Sequence, residues 1–412
     1  MSEPLDLPIR RNTALLAAAL AANSAMLQLS AAVASLTLVL VVDVEGLLGL
    51  GPAIVLACGA LAALPAGRAM DRFGRIPVLA TGYVVGAVAC GLAALGSATE
   101  FAPAVLGGLA GVGAASGTAL LSRTAAGDMY PPERRARGIA LVLFGTVFGA
   151  ILGPAVFSPL LAGKDIDGAA LAPLWLAAGA FMLVGLVLVL AVRPDPQRIA
   201  ILLAADQGDE DDAPAAPLSE LLRRPGVIPA LIAAQASFAV MVAVMTLTGA
   251  VVVDHHHHAG HSVFPIIAAH VVGMYGLVIV VGDLIDRIGR RPSLAGGLLV
   301  MAVSVVSLLW IESVAAMAIA MWGLGLGWNF SFVAATAELA DSTSPAERGK
   351  LLGFNDLIAG MTGATLALAG GLALTELGVV ALAVGGTTLV VAPAVWILRA
   401  TALAASRAPT MR

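Results

Sequence analysis

Runs of eighteen or more mostly apolar residues recur along the whole chain, at roughly 12–42, 47–67, 77–98, 101–125, 138–163 and 171–192, then 226–253, 262–282, 292–311, 314–338, 350–374 and 378–402. Each is long enough to cross a bilayer core of about 30 Å. Hydrocarbon offers no partner to backbone N–H and C=O groups, so segments of this kind can fold only as helices. The expectation is therefore an all-α membrane protein of twelve transmembrane helices in two sets of six. Composition agrees: 59% of residues are hydrophobic and 12% charged, where soluble domains are nearer a quarter charged. The N-terminus MSEPLDLPIRR lacks the positive start and short apolar core of a cleavable signal. Cys58 and Cys90 both fall inside apolar runs and form no CxxC or disulfide framework.

Charge placement orients the helices. Arg10 and Arg11, Arg68 to Arg75, Arg134 to Arg137, Arg193 to Arg224, Arg287 to Arg291, and Arg348 with Lys350 all fall on one side of a twelve-span arrangement. The other side holds Lys164 as its one cation, with Asp43, Glu45, Glu100, Asp165, Asp167, Asp254, Glu312 and Glu376. The positive side is the cytoplasmic one, which puts both termini there, in a cytoplasmic membrane. The stretch 193–225 is rich in Pro, Arg and acidic residues and reads as a cytoplasmic linker. It divides an N-terminal bundle, 1–192, from a C-terminal bundle, 226–412.

An internal repeat fixes the architecture further. Gly67, Asp71, Arg72, Gly74, Arg75 and Pro77 match Gly282, Asp286, Arg287, Gly289, Arg290 and Pro292 at an offset of 215 residues, as G-xxx-DR-x-GR-x-P. A second echo sets Asp128, Pro132, Glu133 and Arg134 against Asp341, Pro345, Glu347 and Arg348. Two related bundles around a midplane site follow the logic of secondary transporters. The duplicated G-xxx-DR-x-GR loops resemble the signature of the major facilitator superfamily over essentially the whole chain. That resemblance implies that Asp71, Arg72, Arg75, Asp286, Arg287 and Arg290 act as gating clamps on the cytoplasmic side. Arg123 and Glu338 occupy equivalent places in the two halves, where a salt bridge closing the gate competes with snorkelling to the interface.

The cargo is read from Met241 to Met274. Met241 and Met245 lie four apart on span seven, His270 and Met274 four apart on span eight, so each pair shares a helix face. Counted at about 1.5 Å per residue from the intervening loop, Met245 and His270 form one tier about 12 Å down, and Met241 and Met274 another about 18 Å down. Thioethers select Cu(I), and imidazole also suits Zn, Ni and Cu(II). His270 is an ionisable residue deep in an apolar span, a position that is costly and by default functional. The loop between the spans carries Asp254, His255, His256, His257, His258 and His261, read as an outer capture site in an acidic setting or, alternatively, as a pH-responsive solvated loop. Methionine also fills gaps, and Met317 and Met321 repeat the MxxxM spacing in span ten.

MxxxM followed by HxxxM resembles the CcoA-like bacterial copper importers, which supply copper for cbb3-type cytochrome oxidase. The resemblance implies copper uptake through Met241, Met245, His270 and Met274, with copper as transported substrate and no cofactor; the soft thioether set favours Cu(I). It also implies a cytoplasmic copper chaperone as recipient and a monomer in the lipid bilayer. Some relatives in this branch are thought to carry riboflavin and to lack the Met/His pairs.

Other polar positions have a functional reading beside a packing one: Asn23, Met26 and Gln28 as cavity-lining, Asp356 beside Asn355 as a proton relay, and Cys58 and Cys90 as thiophilic helpers. Gly145, Gly149, Gly153 and Pro154 form a ridge suited to close helix approach; it resembles the span-five motif of proton-coupled antiporters without that motif's trailing glycines, and a drug/proton antiporter is an alternative within the superfamily. A membrane metal sensor is the competing class. No nucleotide-binding, nucleic-acid-binding or hydrolytic pattern occurs, so no enzyme is expected.

Overall fold

The structure is a computed structural model that describes residues 8–42, 50–161, 168–206, 215–250, 252 and 263–407. The described chain is helical throughout, with no strand among the described residues. In order the helices are α1 (Ile9–Thr37), α2 (Leu50–Phe73), α3 (Arg75–Ala98), α4 (Ala102–Leu120), α5 (Ser122–Asp128), α6 (Arg135–Leu161), α7 (Gly168–Leu190) and α8 (Pro196–Asp206). They continue as α9 (Leu218–Leu221), α10 (Val227–Ala250), α11 (Val263–Tyr275), α12 (Val278–Ile288), α13 (Arg290–Ser307), α14 (Val314–Asp341) and α15 (Arg348–Arg407).

Among the described residues, seven helices are long and apolar enough to cross a membrane, or eight if the bent pair α11 and α12 is one span. Their outer faces stay apolar: Val88, Val187, Val303 and Ile319 are each at least two-thirds exposed. In water such faces would be a liability; against acyl chains they cost nothing.

The chain forms two compact units. One comprises residues 1–218 with 343–361, the other 219–342 with 362–412. In the first, α1 packs on α6 and α7, α3 on α4 and α7, and α2 on α4. The glycine ridge works as its spacing predicts: a Cβ on Gly145 would meet Ala17 O at 2.0 Å and one on Gly149 would meet Ala21 O at 2.3 Å, so α6 and α1 touch backbone to backbone. In the second unit α14 is central, packing on α13, α11 and α10.

Two expectations are revised. Span eight is not continuous: Pro265–Tyr275 and Val278–Ile288 meet at a 43° bend, where Gly276, two residues past Met274, interrupts the helix. The last two spans, 350–374 and 378–402, are not separated by a break in helical hydrogen bonding, because no proline or turn signal strong enough to stop the helix lies between them; α15 runs for 60 residues. The linker 193–225 contains α8, which packs on α3 and α5. Its Asp195 carboxylate accepts from the N–H groups of Arg75 and Ile76, 3.2 and 2.9 Å away, so the linker supplies the cap that the start of α3 lacks.

Candidate functional site

The repeated loops build the same ion cluster twice. Gly74 and Gly289 each join two helices at φ 95° and 98°, a left-handed conformation in which a Cβ is strained. That turn places each following arginine back over the aspartate four residues before it. Arg75 donates to Asp71 at 2.8 Å and to Asp128 at 2.6 Å. Arg290 donates to Asp286 at 2.5 Å and to Asp341 at 3.0 Å. The second sequence echo thus supplies the far carboxylate of each cluster. Arg72 and Arg287 point outward; Arg72 lies over the Phe73 ring, 5.1 Å from its centre.

The first cluster extends further. Asp71 also accepts from the backbone N–H groups of Gly349 and Lys350, at 2.9 and 2.7 Å, which are free donors at the start of α15. Arg348 donates to Asp128 at 2.7 Å, and Arg75 to the carbonyl of Pro345 at 2.7 Å. Both Arg75 and Asp128 are buried.

Arg123, fully buried, donates to Asp356 at 2.5 Å, and Glu338 faces Arg291 at 3.8 Å. Each finds an opposite charge within its own unit. Asp356 is held further by the Asn355 amide at 3.1 Å.

The proposed metal residues lie on helices that share α14 as a neighbour. Met241 and Met245 are half-buried on α10, whereas His270 and Met274 on α11 are buried. α11 sits hard against α14: a Cβ on Gly273 would meet Trp322 O at 2.1 Å, and one on Gly325 would meet His270 O at 2.3 Å. That approach brings His270 Nδ1 within 3.0 Å of the carbonyl of Met321. A carbonyl can only accept, so Nδ1 carries the hydrogen, and in the neutral tautomer this sets, the lone pair is on Nε2. Nε2 is buried and has no hydrogen-bond partner among the described residues. Asp254, His255, His256, His257, His258 and His261 lie outside the described residues.

Among the described residues no three His, Cys, Asp or Glu side chains gather as a metal site; the ligands in question are mainly thioethers. Of the span-one residues, Asn23 and Met26 are buried and Gln28 is exposed, so the three do not share one environment. Cys58 is half-buried and Cys90 buried, both as free thiols. What sequence reasoning missed is Met321, whose carbonyl holds His270; its MxxxM spacing with Met317 was a visible signal.

The profile of the Major Facilitator Superfamily matches residues 13–336 and 266–411. The chain is 34% identical over 300 residues to the riboflavin transporter RfnT of Brucella anthropi, covering 73% of each protein. It is 32% identical over 332 residues to the MFS-type transporter YdeG of Bacillus subtilis, covering 77% of this chain and 74% of that one. Among solved structures it is similar to the human organic anion transporter MFSD10 (TETRAN), with a TM-score of 0.74 at 15% identity over 95% of this chain and 100% of the other. Duplicated loops, multi-pass helical architecture and these matches lead to one conclusion: the chain belongs to the Major Facilitator Superfamily, as a bilayer-embedded secondary transporter of small molecules and not an enzyme.

Proposed function

We propose that the transported substrate is copper, taken up as Cu(I) across a bacterial cytoplasmic membrane by alternating access. The observation that carries this reading is the state of His270. A metal-ligating histidine characteristically donates its other ring N–H to a carbonyl or carboxylate, which fixes the tautomer and the ring plane. His270 donates in that way to Met321 and directs an unpartnered Nε2 into a buried setting. Met274 lies one turn on, just before the bend at Gly276. Broken helices of this kind are where transporters place their substrates. Thioethers with one imidazole suit a soft monovalent ion, and its single charge is cheaper to desolvate than a double one.

In this reading Met241, Met245, His270 and Met274 pass the ion inward from a capture loop formed by Asp254, His255, His256, His257, His258 and His261. Both termini and the linker 193–225 are cytoplasmic, between bundles 1–192 and 226–412. The Asp71–Arg75 and Asp286–Arg290 clusters, with Arg72 and Arg287, serve gating, and Arg123 and Glu338 do so through their own partners. A monomer delivers copper to a cytoplasmic chaperone.

A second reading, riboflavin transport, is favoured by a specific observation: the relative at 34% identity is a riboflavin transporter. One experiment separates the two. Cells expressing the native chain, or a variant with Met241, Met245, His270 and Met274 all replaced by Ala, are assayed for copper by mass spectrometry and for riboflavin by fluorescence. Copper accumulation that the replacement abolishes supports the copper reading. Riboflavin uptake that survives the replacement, with copper at the level of empty cells, refutes it.

A further inference from the structure

We infer that the thioether of Met321 is a fifth ligand on the metal path, contributed by a third helix. This rests on the copper reading above and adds a residue that the MxxxM and HxxxM pairs do not contain. Met321 is 1% exposed, and it is tied to both helices that carry those pairs. Its carbonyl accepts from His270 on α11. Its sulfur lies 3.9 Å from the Thr248 hydroxyl on α10.

The position of Thr248 matters. It follows Met245 by three residues and Met241 by seven, and positions three and seven apart lie on one helix face. The Met321 sulfur therefore lies against the stripe of α10 that carries both methionines. The other stripe meets the same stretch of α14, since Gly325, one turn after Met321, abuts the backbone of His270 and Met274.

Depth agrees as well. Met321 lies seven residues into α14 and His270 seven into α11, about 10 Å along each helix. Carbonyl and sulfur of one residue thus orient the imidazole and face the thioether stripe. Packing alone explains a buried methionine, but it does not explain why the residue that holds His270 also turns its sulfur to the Met241–Met245 face.

The test uses the full-length protein in lipid nanodiscs, Cu(I) as the probe and a chromophoric Cu(I) chelator as competitor. Met321→Leu conserves volume and keeps the carbonyl that holds His270. Met317→Leu, one turn away and equally buried, is the packing control. The expected result is that Met321→Leu weakens Cu(I) binding at least roughly tenfold and lowers the sulfur count at the copper X-ray absorption edge by one, with an unchanged melting temperature. Met317→Leu should bind as the native protein does. If native protein binds Cu(I) and Met321→Leu binds equally well, or both leucine variants weaken alike, the inference is overturned while the copper reading stands. If native protein does not bind Cu(I), the copper reading fails and takes the inference with it.

Discussion

Replacing Gly325 by Ala probes the His270 anchor without replacing any proposed ligand. The added Cβ would lie 2.3 Å from His270 O and 2.7 Å from Met274 N. Both are backbone atoms, so no rotamer change relieves the clash. Ordinary contact lies near 3.5 Å, so α11 and α14 must part by about 1 Å. The hydrogen bond from Nδ1 to Met321 O then stretches from 3.0 Å to about 4 Å, beyond any useful length. Overpacking costs about 1–3 kcal/mol, and an orphaned buried ring N–H about 1–3 kcal/mol more. Losing the partner that orients a metal-bound histidine typically lowers affinity about 10–100-fold. The assay is isotopic copper uptake in cells matched for expression, with melting of the purified protein alongside. Gly296→Ala is the control, because nothing lies within 4 Å of its Cβ position. Native uptake and native melting in Gly325→Ala would refute the tight α11–α14 contact and the anchoring role built on it.

Asp71→Asn removes the charge shared by Arg75 and the N–H groups of Gly349 and Lys350; with each charge-assisted bond contributing about 1.5–3 kcal/mol, initial uptake rates should fall roughly tenfold or more at equal expression. Replacing one partner of the buried Arg123–Asp356 pair, as Arg123→Gln or Asp356→Leu, should destabilise the protein by about 3–5 kcal/mol, and the double replacement Arg123→Leu with Asp356→Leu should recover much of it. Thermal melting reads this, and a double variant no better than the singles would refute the pairing. Replacing His255, His256, His257, His258 and His261 by Ser should raise the copper concentration for half-maximal uptake and leave the maximal rate nearly unchanged. Complete loss of uptake would show that the loop does more than collect ions.

The ion clusters of the G-xxx-DR-x-GR loops were legible because the motif repeats. Gly74 and Gly289, Asp71 and Asp286, and Arg75 and Arg290 stand at one offset in the sequence, and each structural role recurs with them. The two far carboxylates, Asp128 and Asp341, were visible as an echo but not as partners, because nothing local says that a residue 53 positions away will meet Arg75. The same limit hid the ion pair of Arg123 with Asp356, 233 positions apart. Periodicity reports which face of a helix is apolar, not which neighbour that face meets. It placed Met241 with Met245 and His270 with Met274, yet α14 could be recognised as their common neighbour only once the Gly273 and Gly325 contacts were seen. The break at Gly276 was missed for a related reason: one glycine in an apolar run is tolerated in most helices, and the contacts around it decide whether the axis bends.

Arg75 spends every nitrogen of its side chain in a different direction: Nε to Asp128, one terminal nitrogen to Asp71 and the other to the Pro345 carbonyl. A lysine would bring equal charge but no rigid three-way fork. No solvent reaches the group, so the Pro345 turn cannot drift off by degrees; its departure would bare a cationic N–H with nothing to receive it. Release has to wait until water enters or all three bonds yield in concert, which gives this corner of the protein the behaviour of a latch with two positions.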